Sequence, residues 1–392
     1  MNGRDMADEP SRARGPWGNA ESEGLGLPAR LTLDGVVPFL IRHALLDPRE
    51  VVDQRVRVVD VSRRNSNVVV HRAAGTGYFI KQSRDATGEM AMTVANEAMF
   101  YAFCAHDPRG EPVRAFVPRH VTYVADADVL VTSLVEDATS LWQRCEAQST
   151  AVGVGTAARL GSVLSTLHQT GREVAVADVN AFGRGAPWAL SARTPGPEFL
   201  THASLGQVQV TRILQEDTSL SAGLDALQAE ARVETLIHGD LKADNILIGR
   251  HDQALLVVVD WELAHIGDPA WDVGSTFFDF LRFWLTSIPL SHARPERSAV
   301  RIDGPLRSVQ SAIRAFWDAY RSSAKLEGVE ASTFLERAAR FCAARLVQGA
   351  YELTHEATEI SRLGVLMLQV ASNMFAGPDA AVRQIFAIPH IT

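Results

Sequence analysis

An aspartate and an asparagine lie five positions apart in the segment HGDLKADN, residues 238–245, which is flanked by apolar runs. Phosphoryl transfer needs a carboxylate that orients an attacking hydroxyl and accepts its proton. It also needs oxygen ligands that hold Mg²⁺ against the phosphates. Asp240 could supply the first group and Asn245 the second, from one turn. An acidic surface turn has a similar composition, so the segment alone does not decide between these readings.

A second acidic segment, VVVDWE, occupies residues 257–262 and places Asp260 twenty positions after Asp240. The apolar run 255–259 before it predicts a buried strand. A carboxylate at the end of such a strand can point into a cleft and ligate a hard cation. An ordinary strand-terminating aspartate is the alternative, but the two segments at this separation form a specific pattern.

These two segments resemble the catalytic loop and the metal-binding motif of aminoglycoside phosphotransferases and choline kinases. The resemblance implies an ATP-dependent kinase in which Asp240 is the catalytic base and Asn245 and Asp260 bind Mg²⁺. His238 would support the loop. Lys242 departs from the family and is similar to the lysine of Ser/Thr protein kinases that neutralises the transferred phosphoryl group. A solvated surface lysine is the other reading of Lys242.

The same resemblance implies a nucleotide-binding lysine upstream. Lys81 ends a predicted strand, and Glu97 lies sixteen positions later on a predicted helix over 89–104. Lys81 would anchor the nucleotide and Glu97 would pair with it, since a cleft-facing lysine needs such a partner. A surface lysine and a surface glutamate are the alternative.

Two further segments would complete the nucleotide site. The glycine-free turn 62–67 takes the position of a phosphate-covering loop, in which Ser66 and its neighbours would offer backbone N–H groups and the arginines at 63 and 64 would add charge. Residues 132–135 would form the hinge, with backbone atoms of Ser133 and Val135 near the adenine. Downstream, Asp272 would cap a helix and brace the catalytic loop. The short stretch after Asp260 predicts no activation by loop phosphorylation.

The elements that must position these residues change in character along the chain. Five apolar or alternating runs before residue 136 predict an antiparallel sheet, and the chain after residue 140 is largely helical with one short hairpin over 245–259. This order predicts an α+β, bilobal protein-kinase-like fold with a small sheet-containing lobe and a larger helical lobe. The predicted parts are a disordered leader at 1–30, a nucleotide-binding N-lobe at 31–136, and a C-lobe at 137–392 with the catalytic loop and the acceptor site.

Bulk properties exclude several classes of function. The formal net charge of −8 argues against general nucleic-acid binding, which needs a basic face. No run approaches the ~18 apolar residues of a membrane span, and the charged N-terminus is not a signal peptide. The three cysteines lack metal-site spacing. We therefore expect a cytoplasmic protein with no membrane and no nucleic-acid partner.

The acceptor is expected to be walled by residues 172–214 and 287–330, because loops on a rigid scaffold carry specificity. Four side chains are candidates for these walls: Glu262, Asp268, Trp188 and Trp271. The carboxylates would suit an amino-sugar or choline-like small molecule, and the indoles a quaternary ammonium. Solvated acids and core tryptophans are the alternative. The C-terminal region, with its helical apolar spacing, predicts a scaffold without chemistry of its own.

A second resemblance concerns the segments LLDP at 45–48 and VVDVSRRN at 58–65. They look like the opening of kinase-like components of thioamitide and class V lanthipeptide biosynthesis. This resemblance implies a natural-product pathway in which Ser or Thr of a precursor peptide is the acceptor and a partner lyase acts next. A catalytically inactive pseudokinase that binds nucleotide or peptide is a further alternative, although all five residues of the kinase pattern are present.

Overall fold

The computed structural model describes residues 30–62, 65–84, 91–177, 182–252, 254–288 and 303–389. The predicted leader, apart from its last residue, and the two arginines at 63 and 64 lie outside these ranges. Within them the chain forms the α+β, bilobal kinase-like fold that the sequence predicts. Among the described residues, no helix is both long and apolar enough to cross a bilayer.

The first lobe is built on a five-stranded antiparallel sheet with the strand order β1-β2-β3-β5-β4. Its strands are β1 (Val56–Asp60), β2 (Ser66–Arg72), β3 (Tyr78–Gln82), β4 (His120–Val124) and β5 (Val129–Ser133). Its helices are α1 (Leu33–Arg42), α2 (Pro48–Val52) and α3 (Ala91–His106). The alternation of the central strands places their valines and isoleucines on one face, where they pack with α1 in a small core. The first turn of α1 is capped by Thr32.

The second lobe is mainly helical. Its helices are α4 (Leu141–Gln148), α5 (Val154–Ala177), α6 (Pro197–His202), α7 (Leu205–Glu216), α8 (Thr218–Glu230), α9 (Pro269–Ser287), α10 (Asp303–Ala324), α11 (Gly328–Leu353), α12 (Arg362–Ala376) and α13 (Pro378–Gln384). Helix α11 lies at the centre, packed between α9 and α12, and most of its residues are buried. The three free cysteines at 104, 145 and 342 are buried core residues.

Five short strands of the second lobe flank the acidic segments 238–245 and 257–262. They are β6 (Ala138–Ser140), β7 (Thr235–Ile237), β8 (Ile246–Gly249), β9 (Leu256–Val258) and β10 (His265–Gly267). β6, β8 and β9 form one sheet, and β7 pairs with β10. The loop 238–245 therefore starts where β7 ends and finishes where β8 begins. The β8–β9 hairpin then brings residue 260 back to the same edge.

The sequence predicted the five strands of the first lobe and the β8–β9 hairpin to within about two residues at each end. It did not predict β6, β7 and β10, which are three residues long and have no clear apolar periodicity of their own. Their partners, rather than their propensity, keep these segments extended.

Candidate active site

The buried Lys81 lies at the centre of a cluster of three carboxylates, of which Glu97 is buried and Asp260 and Glu262 are partly exposed. Its Nζ lies 2.7 Å from Glu97 Oε2, 2.5 Å from Asp260 Oδ1 and 2.8 Å from Glu262 Oε2. β3 supplies Lys81, α3 supplies Glu97, and the segment after β9 supplies Asp260 and Glu262. The contacts with Asp260 and Glu262 therefore join the two lobes through a single ammonium group, whose side chain is 4% exposed.

Electrostatics keep this cluster charged. Burial alone would lower the pKa of Lys81, but the carboxylates of Glu97, Asp260 and Glu262 outweigh it, and the pKa of Lys81 lies above its usual value. Burial raises the pKa of Glu97, although Lys81 opposes this effect. For Asp260, the attraction of Lys81 outweighs burial and lowers the pKa. Tyr101 further anchors Glu97 by donating its hydroxyl to Oε1 at 3.0 Å.

Asp260 has an unusual backbone conformation, with φ at 68° in the left-handed region. A non-glycine residue reaches this region only where its surroundings hold it there, and such residues concentrate at functional sites. Here the next residue, Trp261, donates its backbone N–H to Glu97 Oε1 and its indole N–H to the carbonyl of Val258. These contacts turn the Asp260 carboxylate towards Lys81.

The catalytic loop presents Asp240 between two cations. Lys242 Nζ lies 2.5 Å from Asp240 Oδ2, and Arg345 Nη2 of α11 lies 3.4 Å from Oδ1. Asp240 itself is partly exposed, with 21% of its side chain accessible. Burial would lower the pKa of Lys242, but Asp240 raises it above its usual value. Lys242 is therefore not the isolated surface lysine of the alternative reading.

Internal hydrogen bonds fix the shape of the loop. His238 Nδ1 accepts the backbone N–H of Asp240 at 3.3 Å, and His238 Nε2 lies 3.0 Å from the carbonyl of Val259. Asn245 donates from its side-chain amide to the Asp240 carbonyl at 3.1 Å. His238 thus contacts both the catalytic loop and the strand that leads to Asp260.

Asp272 of α9 braces the start of the loop. Its Oδ2 accepts the backbone N–H of His238 at 2.7 Å, and its Oδ1 accepts that of Gly239 at 3.1 Å. Gly239 has φ at 81°, and a Cβ there would lie 2.4 Å from the carbonyl oxygen of Leu263, so the loop needs glycine. The expected helix cap is wrong in one respect. The N-cap of α9 is Asp268, not Asp272.

Oxygen ligands for a divalent cation converge at one edge of the cleft. The ligand atoms of Glu97, Asp260 and Glu262 all lie within 4.8 Å of one another. Asn245 is joined to the same edge because its carbonyl accepts the backbone N–H of Val259 at 2.9 Å. A set of carboxylate and amide oxygens suits Mg²⁺, so these residues fit the metal that the sequence implies.

The expected nucleotide-binding residues lie at or just after the ends of strands of the first lobe. Ser66 is the first residue of β2, next to Asn65, whose Nδ2 donates to Glu262 Oε2 at 2.8 Å. Ser133 ends β5, but its backbone N–H donates to Arg119 and its hydroxyl accepts from Arg119. Both groups of Ser133 are therefore hydrogen-bonded to the residue that precedes β4. Val135 follows in the segment between the lobes.

Three of the four expected acceptor-wall residues are engaged elsewhere. Glu262 binds Lys81 on the nucleotide side. Asp268 is 1% exposed and binds Arg337 at 3.0 Å. Trp271 is buried and donates its indole N–H to the Gly239 carbonyl at 2.8 Å. Trp188 is 49% exposed and packs edge-on against Tyr351 of α11.

The C-terminal region, which the sequence predicts to be a scaffold, reaches the site through α11, which brings Arg345 to within 3.4 Å of Asp240 Oδ1. The sequence contained a signal for this contact. Arg345 and Gln348 are polar residues at helical spacing within an otherwise apolar stretch, residues 341–351. A second unexpected feature is lysine usage. The chain has only three lysines, and two of them, Lys81 and Lys242, lie in this site.

Comparisons with known proteins agree with this geometry. The chain matches the model of a phosphotransferase enzyme family over residues 56–298. A choline kinase structure from Cryptosporidium parvum covers 89% of this chain and 96% of its own at 10% identity and a TM-score of 0.51. An ethanolamine kinase structure from Plasmodium vivax covers 86% and 87% at 12% identity and a TM-score of 0.50. At such identities the likeness concerns the fold alone.

A curated relative, human acyl-CoA dehydrogenase family member 11, is 39% identical over 57 residues, which are 14% of this chain and 7% of that protein. The chain thus spans a small part of the length of the curated relatives it matches. The family match is broader, because it takes in more than half of the chain, including Lys81 and the Asp240 loop. The chain therefore belongs to the phosphotransferase enzyme family, as its motifs predict.

Proposed function

We propose that the chain transfers the γ-phosphoryl group of ATP directly to a hydroxyl group of a small-molecule acceptor. Asp240 orients that hydroxyl and takes its proton, and Lys242 neutralises the transferred group. Lys81, paired with Glu97, holds the nucleotide phosphates. The observation that carries the proposal is the contact of Lys81 with Asp260 across the cleft, because it brings a phosphate-binding cation to a metal-binding carboxylate.

In this proposal Asn245 and Asp260 hold Mg²⁺, which would neutralise charge on the phosphates when bound. Ser66, Ser133 and Val135 lie on the nucleotide side, with the backbone around Val135 next to the base. The boundary between the nucleotide-binding and acceptor lobes falls near residue 136. The antiparallel pairing of β6 with β8 supports this boundary, since it ties residue 138 to the second lobe.

The acceptor side of the cleft bears on the class of acceptor. The carboxylates that would favour an amino sugar or choline are engaged with Lys81 and Arg337, so they give no support to a cationic acceptor. Lys242 and Arg345 flank the base instead. A Ser or Thr of a precursor peptide is the second candidate, favoured by Lys242 and by the segments 45–48 and 58–65, and it would imply a partner lyase.

An inactive pseudokinase is a poorer account, because its hallmark is the loss of a kinase residue. Lys81, Glu97, Asp240, Asn245 and Asp260 are all in place in the described chain. Lys81 is joined directly to Glu97 and Asp260, and Asn245 to the Asp240 backbone. A binding module would not require this set of contacts.

The test is Mg²⁺-dependent ADP release with a panel of acceptors, comparing wild type with Asp240→Asn. The panel contains amino sugars, choline, neutral polyols and Ser/Thr peptides, and mass spectrometry identifies the phosphorylated compound. Asp252→Asn, at an exposed position in the β8–β9 turn, is the matched control. We expect a loss of about 10²–10⁴-fold in turnover for Asp240→Asn and none for the control. A wild-type enzyme that releases no ADP with any acceptor, or with water, contradicts the proposal.

Nucleotide binding is tested separately with an acyl-phosphate derivative of ATP, which acylates lysines near its phosphates. The chain offers a clean readout, because Lys325 is exposed and is the only lysine outside the site. We expect labelling of Lys81 and Lys242 that excess ATP suppresses, while labelling of Lys325 does not respond to ATP. Equal labelling of all three lysines contradicts nucleotide binding in this cleft.

A further inference from the structure

A polar stripe runs along α11 from the surface to the catalytic base. Arg345, Gln348 and Glu352 are spaced by three and four positions and therefore share one face of the helix. Glu352 is half exposed, Gln348 is 8% exposed and Arg345 is 2% exposed. The stripe ends at Asp240, 105 positions away from Arg345 in the sequence.

Arg345 is a buried cation that must be paired, because a desolvated charge without a partner costs several kcal/mol. Its Nη1 lies 2.9 Å from Glu352 Oε1, and its Nη2 lies 3.4 Å from Asp240 Oδ1. Its guanidinium also lies over the ring of Phe278, 5.1 Å from the centroid. Gln348 donates to the same Glu352 oxygen at 2.9 Å, which holds Glu352 in place.

The two oxygens of Asp240 contact cations that differ in burial. Oδ2 contacts Lys242, which lies on the loop and has a side chain that is 32% exposed. Oδ1 contacts Arg345, a residue of the central helix α11 whose side chain is 3% exposed. Arg345 is held on one side by Glu352 and on the other by Asp240. If Lys242 turned towards a phosphoryl group, Oδ2 would become available to an acceptor hydroxyl while Oδ1 stayed bound.

We propose that Arg345 is a positioning residue for the catalytic base, and that Glu352 and Gln348 hold Arg345 in the orientation that this role needs. The inference rests on the proposed function, since it assigns a task to a neighbour of Asp240. Arg345 fixes the rotation of the Asp240 carboxylate, so that one oxygen faces the acceptor during each turnover. It touches neither the nucleotide nor the acceptor in this role.

The chain contains a matched control on the same helix. Arg337 is 4% exposed and pairs with the buried Asp268 at 3.0 Å, and its guanidinium also lies near an aromatic ring, that of Phe334 at 5.4 Å. It thus shares with Arg345 its residue type, helix, degree of burial and kinds of partner. The difference is that Asp268 caps α9, whereas the partner of Arg345 is the base.

The experiment compares Arg345→Met, Arg345→Lys, Glu352→Gln and Arg337→Met in the full-length chain. For each variant, kcat and KM for ATP are measured from ADP release, with water as acceptor and with any panel compound that wild type phosphorylates. The Kd for ATP and the melting temperature are measured in parallel. All turnover assays run well below the lowest melting temperature.

For Arg345→Met we expect kcat to fall by about 10²-fold, the usual effect of a misplaced catalytic group, while KM and Kd for ATP stay within about twofold of wild type. Arg345→Lys should regain part of kcat, because a cation returns near Oδ1. Glu352→Gln should lower kcat less than Arg345→Met, with little change in melting temperature, since its side chain is half exposed. Arg337→Met should lower the melting temperature but leave kcat within about threefold of wild type.

Two results overturn the inference while leaving the proposed function intact. One is an Arg345→Met enzyme whose kcat matches that of Arg337→Met. The other, decisive if Arg345→Met does not fold, is a Glu352→Gln enzyme with wild-type kcat. A wild-type enzyme without ADP release overturns the proposed function and this inference with it.

Discussion

The cluster around Lys81 leads to an unusual prediction, because two substitutions that should both remove activity are expected to have very different effects on stability. Lys81→Met removes a cation that contacts three convergent carboxylates. Asp260→Asn removes one of those carboxylates and leaves Lys81 with Glu97 and Glu262. We expect the first variant to be strongly destabilised without metal and the second to be about as stable as wild type.

The magnitudes follow from the distances. At 2.5 Å from Asp260, Lys81 contributes an attraction of about 7 kcal/mol at an effective dielectric constant of about 20. Asp260 also lies within 4.8 Å of Glu97 and Glu262, measured between ligand atoms. These two repulsions are each at least about 3.5 kcal/mol on the same scale. They offset most of the attraction, and the 34% exposure of the Asp260 side chain weakens all three interactions. The charge of Asp260 therefore adds only a little stability to the metal-free protein, in the direction that its lowered pKa indicates.

The loss of Lys81 is not offset by any relief of repulsion. Loss of one partner from a buried ion pair costs about 3–5 kcal/mol, and three facing carboxylates remain. For a cooperative unit of about 150–250 residues, that cost lowers the melting temperature by roughly 6–20 °C. The pKa of Lys81 is raised, so its stabilising charge is complete at neutral pH and is lost only as the pH rises through that elevated value.

The assay is thermal unfolding at pH 7.5 in EDTA, repeated with MgCl₂ and ADP. Lys325→Met, at an exposed lysine, is the control for Lys81→Met and should melt with wild type. Asp260→Asn should melt within about 2 °C of wild type in EDTA, in keeping with a change below about 1 kcal/mol, but should gain little from Mg²⁺ and ADP, because the linkage between binding and folding is lost. If Asp260→Asn falls as far as Lys81→Met in EDTA, or Lys81→Met melts with wild type, the account of the cluster is wrong.

Two further substitutions test the shape of the catalytic loop. Gly239→Ala should lower both the melting temperature and kcat, since the backbone has φ at 81° and the new Cβ would meet the Leu263 carbonyl at 2.4 Å; the strain of that conformation alone is about 1–2 kcal/mol. Gly153→Ala, where a Cβ meets nothing within 4 Å, should change neither, and an unaffected Gly239→Ala enzyme would show that the loop is not held as described. Asp272→Asn leaves a buried backbone N–H of the loop poorly paired, so unfolding and turnover assays should show a loss of about 1–3 kcal/mol in stability together with a lower kcat. The same change at the exposed Asp225 is its control, and a kcat equal to that of this control would count against the bracing role.

Much of the site could be predicted from the sequence because its parts are local. The loop 238–245 and the segment 257–262 carry their chemistry within a few residues, and the hairpin between them fixes their separation. The pairing of Lys81 with Glu97 was predicted from family resemblance. In the structure, Lys81 Nζ lies 2.7 Å from Glu97 Oε2. The strand content of the first lobe followed from alternating valines. Each of these predictions depended only on residues close together in the sequence or on one contact between a strand and a helix.

The remaining features depend on contacts that no local pattern encodes. Arg345 reaches Asp240 across 105 positions, and Glu262 reaches Lys81 across 181. The acceptor-wall prediction failed for a related reason. Carboxylates near the segment 257–262 are expected at the acceptor because their charge suits a cationic acceptor. In the fold, however, Asp268 forms an ion pair with Arg337. Residue type thus indicated the chemistry, while the partner was decided by tertiary structure.

The distribution of charge across the cleft separates two tasks that the same residue types perform. On the nucleotide side, Lys81 is the partner of three carboxylates. Negative charge is therefore in excess there, which favours binding of a divalent cation. On the acceptor side, Lys242 and Arg345 both contact Asp240. They hold its carboxylate in place and balance its negative charge before any acceptor binds. In the first arrangement a bound metal would relieve the repulsion between the carboxylates, which is why we expect Asp260 to matter more for activity than for the stability of the fold. The second pairs Asp240 with a buried arginine of α11 and with a partly exposed lysine of the loop, so that the contact with Lys242 could be exchanged while the contact with Arg345 is kept.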